Sequence, residues 1–273
     1  MKRYGHLFEQ IVDMDNLKLA LQKAKNGKMR LEKTREVVAK ADYYLPLLQK
    51  MLIDGTFKTS KYKTKIIREP KERLIYVLPF FPDRIVHHAI MNILEPIWEK
   101  QMIEHSFACR KGKGQHKGSA LCIKYAKAYR WCLKCDISKF YPSINHEVLK
   151  KIVRNKIKDK KLLWLLDDII DSIEGESNLP IGNYISQWLG NLYLNELDKW
   201  MLETQKLPKY IRYCDDFVVF SNDKNRLLEL QRTLPQYLHD TLRLRMSKNT
   251  LLSTTQGINF LGYRHFHSGK ILL

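Results

Sequence analysis

Apolar positions recur at helical spacing through the first 60 residues. "DNLKLALQKAKNGK" carries them behind an Asp cap, and "EVVAKADYYLPLLQKML" repeats the pattern, so both stretches read as helices. The rhythm then changes. "KYKTKIIREPKERLIYVLP" holds two short apolar runs, Ile66–Ile67 and Leu74 to Leu78, on either side of a basic turn with Pro70, which predicts a hairpin. A helix is predicted after Pro82 in "PDRIVHHAIMNILEPIWEKQM". "SFACRKGKGQHKGSA" reads as a loop rich in glycine and cations, and "RWCLKCDISKFYPSI" as a strand that ends near Asp136 and turns.

Beyond that point "HEVLKKIVRNKI" and "KLLWLLDDIIDSI" predict helices. "ISQWLGNLYLNELDKWMLE" predicts a longer one, started by the loop "NLPIGNY", with Trp188, Leu189, Leu192 and Leu197 on one side. "YIRYCDDFVVF" predicts two strands hinged at Asp215–Asp216. "NRLLELQRTLPQYLHD" predicts a helix kinked or ended at Pro235, and "LRLRMS" and "INFLGYRHF" predict two closing strands. There are no repeats, low-complexity tracts or flexible linkers. Strands and helices do not alternate strictly, so the fold class is α+β, with a mixed or antiparallel sheet backed by helices.

Composition narrows the partners. The chain has 273 residues and sets 48 Lys+Arg against 29 Asp+Glu, a formal net charge of +19. That excess exceeds what solubility needs and points to a polyanion, nucleic acid first and an anionic membrane surface second. No run approaches 18 consecutive apolar residues, so a membrane-spanning helix is not expected. "MKRYGHLFEQ" lacks a secretory apolar region. The 5 cysteines, an odd number, suit reduced thiols in a cytosol. Cys132 and Cys135 form a C-x-x-C, but a separation of three on a strand points them to opposite faces, and no second pair completes a zinc site. Both read as buried thiols. The histidines are scattered without metal spacing, and His87–His88 reads as structural.

The acidic pair Asp215–Asp216 is anomalous in this setting. It lies between apolar runs of a basic chain, and Asp136 ends another apolar strand. If the two strand ends are neighbours in one sheet, three carboxylates converge, a cluster that needs a hard cation to neutralise it. Mg²⁺ takes carboxylate oxygens, keeps waters and bridges phosphates. Two such ions can activate an attacking 3′-hydroxyl and stabilise a leaving pyrophosphate. The plainer alternative is a turn whose aspartates suit tight backbone geometry.

Four ordered motifs carry a resemblance. "YCDD" resembles the Tyr-x-Asp-Asp motif of reverse transcriptases, "CDISKFYPSI" their first palm motif, "LPIGNYISQWLGNLYL" the loop–helix motif that follows, and "INFLGY" the later hairpin. The resemblance spans roughly Ile66 to Tyr263. Most reverse transcriptases have Pro-Gln-Gly in the loop and a Ser-Pro after it. This chain has Pro180-Ile181-Gly182 and then Ser186-Gln187, a pattern similar to the enzymes of diversity-generating retroelements. Those copy a template RNA with frequent errors at adenines. The resemblance therefore implies an RNA-directed DNA polymerase that makes adenine-mutagenised cDNA.

It also implies roles for residues. Asp136, Asp215 and Asp216 would be catalytic and hold two Mg²⁺ ions, with Mn²⁺ as a substitute and the Ile137 carbonyl completing one coordination sphere. Asp216 would act more through orientation and field. Tyr141 would be the steric gate against a 2′-hydroxyl and Phe140 a core ring, on opposite sides of an extended segment. Arg73, Lys71 and Arg68 on the basic hairpin would grip the incoming triphosphate, for which an arginine fork is suited. A solvated charge is the bland reading, most of all for Lys71. Ile181 would replace a glutamine's amide with bulk alone and so weaken discrimination, or else be a loop residue without effect on fidelity. Gly182 would permit a turn beneath the nucleotide. Gln187, with Ser186, would either cap the next helix or touch the template. Arg110, Lys111 and Lys113 in "RKGKG" would follow a nucleic-acid backbone, or form a generic basic loop. Lys248 in "MSKNT" resembles a lysine near the primer end.

The implied architecture is a right-hand polymerase: fingers over residues 1–130, palm with inserted helices over 131–265, and a minimal or truncated thumb starting at 266–273. The implied partners are template RNA, primer and cDNA, deoxynucleoside triphosphates and a small basic oligomeric accessory variability protein. The implied location is the cytoplasm of a bacterium, from a bacterial or phage gene. Two rival readings stand beside it: a retron, abortive-infection or intron-type reverse transcriptase, and a non-catalytic RNA-binding protein on a palm fold.

Overall fold

The computed structural model describes residues 3–69 and 72–273, so Lys71 lies outside the described residues. In chain order the elements are α1 (Phe8–Val12), α2 (Met14–Ala24), α3 (Glu32–Ala39), α4 (Ala41–Ile53), β1 (Lys63–Ile67), β2 (Arg73–Val77), α5 (Ile85–Glu99), α6 (Gln115–Ala128), β3 (Trp131–Ile137) and α7 (Phe140–Ser143). They continue with α8 (His146–Arg154), α9 (Lys160–Ile170), α10 (Tyr184–Lys199), β4 (Tyr210–Tyr213), β5 (Asp216–Ser221), α11 (Lys224–Leu242), β6 (Met246–Ser253), β7 (Ile258–Phe260), β8 (Tyr263–His265) and β9 (Ile271–Leu272). No described helix is long and apolar enough to cross a membrane.

Several boundaries differ from the expectations, each for a physical reason. The cap of α2 is Asp13, whose carboxylate accepts the amides of Asp15 and Asn16. The apolar spacing of residues 36–52 is split at Lys40, which leaves helical geometry and separates α3 from α4. The basic loop is shorter than expected, because "QHKGSA" is already the first part of α6. Its Gly118 is there for packing: a Cβ would stand 2.7 Å from the Leu261 side chain. Pro235 does not end α11, which runs seven residues further to Leu242. Leu230, Leu234, Leu238 and Leu242 stay buried on one stripe, so packing outweighs the one backbone hydrogen bond proline forfeits. In "LRLRMS", Leu242 still belongs to α11 and the strand starts only at Met246. It runs on through polar Asn249 and Thr250 because β3 pairs with it along that length.

The chain packs into two compact units, 1–100 with 146–189, and 101–145 with 190–273. In the first, α1, α2, α4 and α5 pack together around Leu17, Leu48, Ile90 and Trp98. Asp159 caps α9 and also accepts the amides of Leu7 and Phe8, tying the N-terminal segment to that helix. The hairpin β1–β2 is antiparallel, with Ile67 opposite Arg73, and all of β1 is exposed.

The second unit is built on an antiparallel sheet ordered β4-β5-β3-β6. The central strand β3 is buried from Cys132 to Cys135, because α11 covers one face and its neighbours cover its edges. Cys132 and Cys135 are free thiols, and burial pushes both upward in pKa. Strands β7, β8 and β9 form a further antiparallel sheet. "INFLGYRHF" is thus a hairpin rather than one strand, turned at Leu261–Gly262, both at positive φ. The architecture is α+β, an antiparallel sheet backed by helices, as the order of elements implied.

Candidate active site

The register of β3 and β5 places Asp136 directly opposite Asp216. Both strands are apolar up to these residues, so burial fixes the pairing and delivers the carboxylates at the strand ends. Asp215 occupies the turn between β4 and β5, beside Cys214 at φ +57°. Its carbonyl accepts the Ile137 amide at 3.3 Å, so the turn is tied to the end of β3. On the other edge of β3, Lys248 of β6 stands opposite Asp136, and the pairing slips between Asp136 and Ile137. The Ser247 hydroxyl donates to the Asp136 carboxylate.

Two carboxylates in directly opposed positions repel. The structure shows what offsets this. Lys134 lies two residues before Asp136 and therefore on the same face of β3. Its ammonium forms an ion pair with the Asp216 carboxylate and stands 5.1 Å from the centroid of the Phe260 ring. Only 10% of the Lys134 side chain is exposed. Burial lowers its pKa to about 8 against the pull of Asp136. Lys134, Asp136, Asp216 and Lys248 line one open cleft with the β7–β8 turn, Asn259 to Arg264.

Among the described residues no three His, Cys, Asp or Glu side chains form a ready metal cage. This does not count against Mg²⁺, which is held by one or two carboxylates with waters and substrate phosphates rather than by an all-protein cage. The oxygen donors at the mouth of the cleft suit such a hard ion, with Lys134 as the competing cation.

The acidic turn has a support that sequence reasoning missed. Arg212 is fully buried and pairs with Asp198 of α10 at 2.5 Å. Its Nη1 also donates to Asn191 and to the Cys214 carbonyl, each at 3.1 Å. Tyr210 donates to Asp198 at 2.8 Å, and Asn191 donates to the Ala108 carbonyl at 2.9 Å. The turn bearing Asp215 is therefore braced from below by a satisfied ionic network. An arginine inside "YIRY" and the polar series Asn191, Asn195 and Asp198 on an otherwise largely apolar helix were the signals, but nothing local says that they meet. Lys134 was missed in the same way, although a lysine in a buried strand is itself a signal.

Tyr141 and Phe140 do not occupy opposite sides. The segment is the helical turn α7, not extended, and both rings lie near Gly190, where a Cβ would meet each at 3.3 Å. The Cys214 thiol approaches the Tyr141 hydroxyl at 3.9 Å. Burial raises both groups, Cys214 to about 12.

In the first unit the loop of Ile181 and Gly182 is fastened to β2. The Tyr76 amide donates to the Ile181 carbonyl at 2.8 Å, and Asn178 donates to the Tyr76 hydroxyl at 3.0 Å. Gly182 has φ +116°, and a Cβ there would stand 2.8 Å from both the Ile75 side chain and the Tyr76 carbonyl oxygen. Arg73 begins β2 and Arg68 follows β1, both exposed.

The basic loop is largely self-engaged. Arg110 donates to the carbonyls of Ile103 and Ser106, and Lys113 to that of Glu104. Lys111 is exposed. On α10, Gln187 is exposed and Ser186 buried.

The family described as reverse transcriptase (RNA-dependent DNA polymerase) matches residues 58–265. The chain is 25% identical over 272 residues to protein YkfC of Escherichia coli K12, covering 81% of this chain and 70% of that protein. It is 23% identical over 286 residues to the group II intron-encoded protein LtrA of Lactococcus lactis subsp. cremoris, covering 78% of this chain and 48% of LtrA. It thus spans about half of LtrA's length. A telomerase structure from Candida albicans, in complex with a fragment of telomeric RNA, matches with a TM-score of 0.57 at 11% identity, covering 80% of this chain and 47% of that one. Apo telomerase from Candida tropicalis, truncated from its C-terminal domain, matches with a TM-score of 0.57 over 81% of this chain and 58% of that one. At such identity these structures speak to the fold alone.

Proposed function

Because the chain belongs to the reverse transcriptase (RNA-dependent DNA polymerase) family and has the right-hand polymerase fold, we propose that it extends a DNA 3′-hydroxyl with deoxynucleotides on an RNA template. The observation that carries this reading is the opposition of Asp136 and Asp216 across β3 and β5, with Asp215 on the adjoining turn. Asp136, Asp215, Asp216 and the Ile137 carbonyl would hold Mg²⁺, with Asp216 acting more through orientation and field. When bound, the ions would supply charge neutralisation at the phosphates and an acidified 3′-hydroxyl.

The chain's own residues divide the remaining work. Arg73 and Arg68 present forked donors to phosphate oxygens, with Lys71 as a further cation. The Tyr141 ring supplies the flat wall that excludes a 2′-hydroxyl. Gly182 lets the loop backbone lie close to β2, and Ile181 would offer an incoming nucleotide bulk without a polar contact. Lys248, beside Asp136, would attract the primer backbone, and Lys111 and Gln187 the nucleic acid. In this reading the palm spans 131–265 and the fingers 1–130, with any thumb starting at 266.

We infer further that the enzyme belongs to the diversity-generating kind. "IGNYISQ" supports this, and it carries adenine-biased errors and a basic oligomeric accessory protein with it. The likeness to LtrA favours a second reading, an intron-type reverse transcriptase. The test is primer extension on an RNA template with Mg²⁺, beside Asp215→Ala, followed by sequencing of the products. Extension lost in Asp215→Ala with errors concentrated at template adenines is expected. Accurate products favour the intron-type reading, and no extension by the wild type leaves only an RNA-binding protein.

A further inference from the structure

Lys134 has no part in the scheme above, yet it is the best-placed cation in the cleft. It sits on the central strand, with 10% of its side chain exposed. Burying an ammonium is costly unless it is paired. Here the partner is the carboxylate of Asp216, which stands opposite Asp136. The Phe260 ring, 5.1 Å away at its centroid, faces the same ammonium and shields it from water. Lys248 stands opposite Asp136 on the far side of β3, so two lysines and two aspartates share one face of the sheet. Within this set of four, the ammonium groups equal the carboxylates in number.

Resting on the reading that Asp136, Asp215 and Asp216 hold divalent cations, we propose that Lys134 is a positioning residue that acts as a resident counter-cation. It neutralises Asp216 while no metal is bound and gives way when one enters. Divalent affinity then reports a competition: the metal gains the carboxylate field but must displace a paired, shielded ammonium. Removing the ammonium while keeping the shape of the chain should tighten divalent binding. A lysine that merely packs against Phe260 would leave metal affinity unaltered, because methionine preserves that packing.

The test is a Mn²⁺ titration by electron paramagnetic resonance on the full chain, with wild type, Lys134→Met, Lys134→Arg and Asp216→Asn compared. Lys134→Met is expected to bind Mn²⁺ about tenfold more tightly than wild type, the scale of one charged hydrogen bond released. Lys134→Arg should stay near wild type and Asp216→Asn should bind more weakly. Unchanged or weaker binding by Lys134→Met, with Mn²⁺ still bound by the wild type, overturns this inference alone. No Mn²⁺ bound by the wild type overturns the metal-site reading and this inference together. Should Lys134→Met fail to fold, the wild type suffices: amine acylation at Lys134, read by peptide mass spectrometry, should rise when Mn²⁺ is added. Unaltered labelling overturns the proposal.

Discussion

Gly182 and Tyr76 approach so closely that a Cβ on Gly182 would stand 2.8 Å from the Tyr76 carbonyl oxygen. The glycine is also at φ +116°, so both space and conformation exclude a side chain. Gly182→Ala is expected to cost about 1–3 kcal/mol and to move the Ile181 loop off β2. Gly175→Ala is the control, since Gly175 shares a positive φ of +112° but has its nearest obstacle at 4.0 Å. Melting temperature and nucleotide incorporation should fall further for position 182.

The same loop allows a cleaner question about fidelity. The tie to β2 uses the Ile181 carbonyl, so the side chain can be exchanged without breaking it. Ile181→Gln restores an amide that can favour a correct pair by about 1 kcal/mol, roughly fivefold in selectivity. Errors at template adenines should drop by about that factor in sequenced cDNA. An unchanged error spectrum removes Ile181 from the account of fidelity.

Arg212 and Asp198 are both fully buried at 2.5 Å separation. Breaking one side strands the other charge. Arg212→Met should destabilise the protein by about 3–5 kcal/mol in urea unfolding. Replacing Asp198 with leucine in the same chain should recover much of the loss, since two apolar groups remove the stranded charge. Activity in the single variant should fall as well, because Arg212 also holds the Cys214 carbonyl beneath the acidic turn.

Acid should weaken the first unit through its paired histidines. Burial pulls His88 down to about 4 and His87 to about 3. Both folded values lie below the unfolded value of about 6.5, so between these limits the unfolded chain binds more protons. The stability these neutral rings permit is fully present above about pH 6.5 and is lost as pH falls toward 4 for His88 and toward 3 for His87. The expected slope is up to about 1.4 kcal/mol per pH unit for each ring. His88→Phe, which keeps a ring against Tyr184, should flatten part of that slope in melts between pH 7 and 4. An equally steep profile would refute the assignment.

Local pattern determined a large part of the secondary structure. Helical spacing of apolar residues placed α2, α8, α9 and α11, and the apolar runs around Asp136 and Asp215–Asp216 marked β3, β4 and β5. These depend on periodicity and β-propensity, which a short window holds in full. Four ordered motifs then pointed to a polymerase family, since motif order survives where overall identity is low.

What the chain alone could not state was which groups meet. A helical turn or an extended run at Phe140–Tyr141, a stop or a passage at Pro235, and a loop or a helix at Gln115 differ by little in local energy. Packing against Gly190, the leucine stripe of α11 and the Leu261 side chain decides them. The pairing of Arg212 with Asp198, and of Lys134 with Asp216, spans 14 and 82 positions of sequence respectively. Buried ionic pairs of that kind are encoded only by the register of strands and the seating of helices. Composition announced an excess of cations; the tertiary structure determined which of them faces the carboxylates.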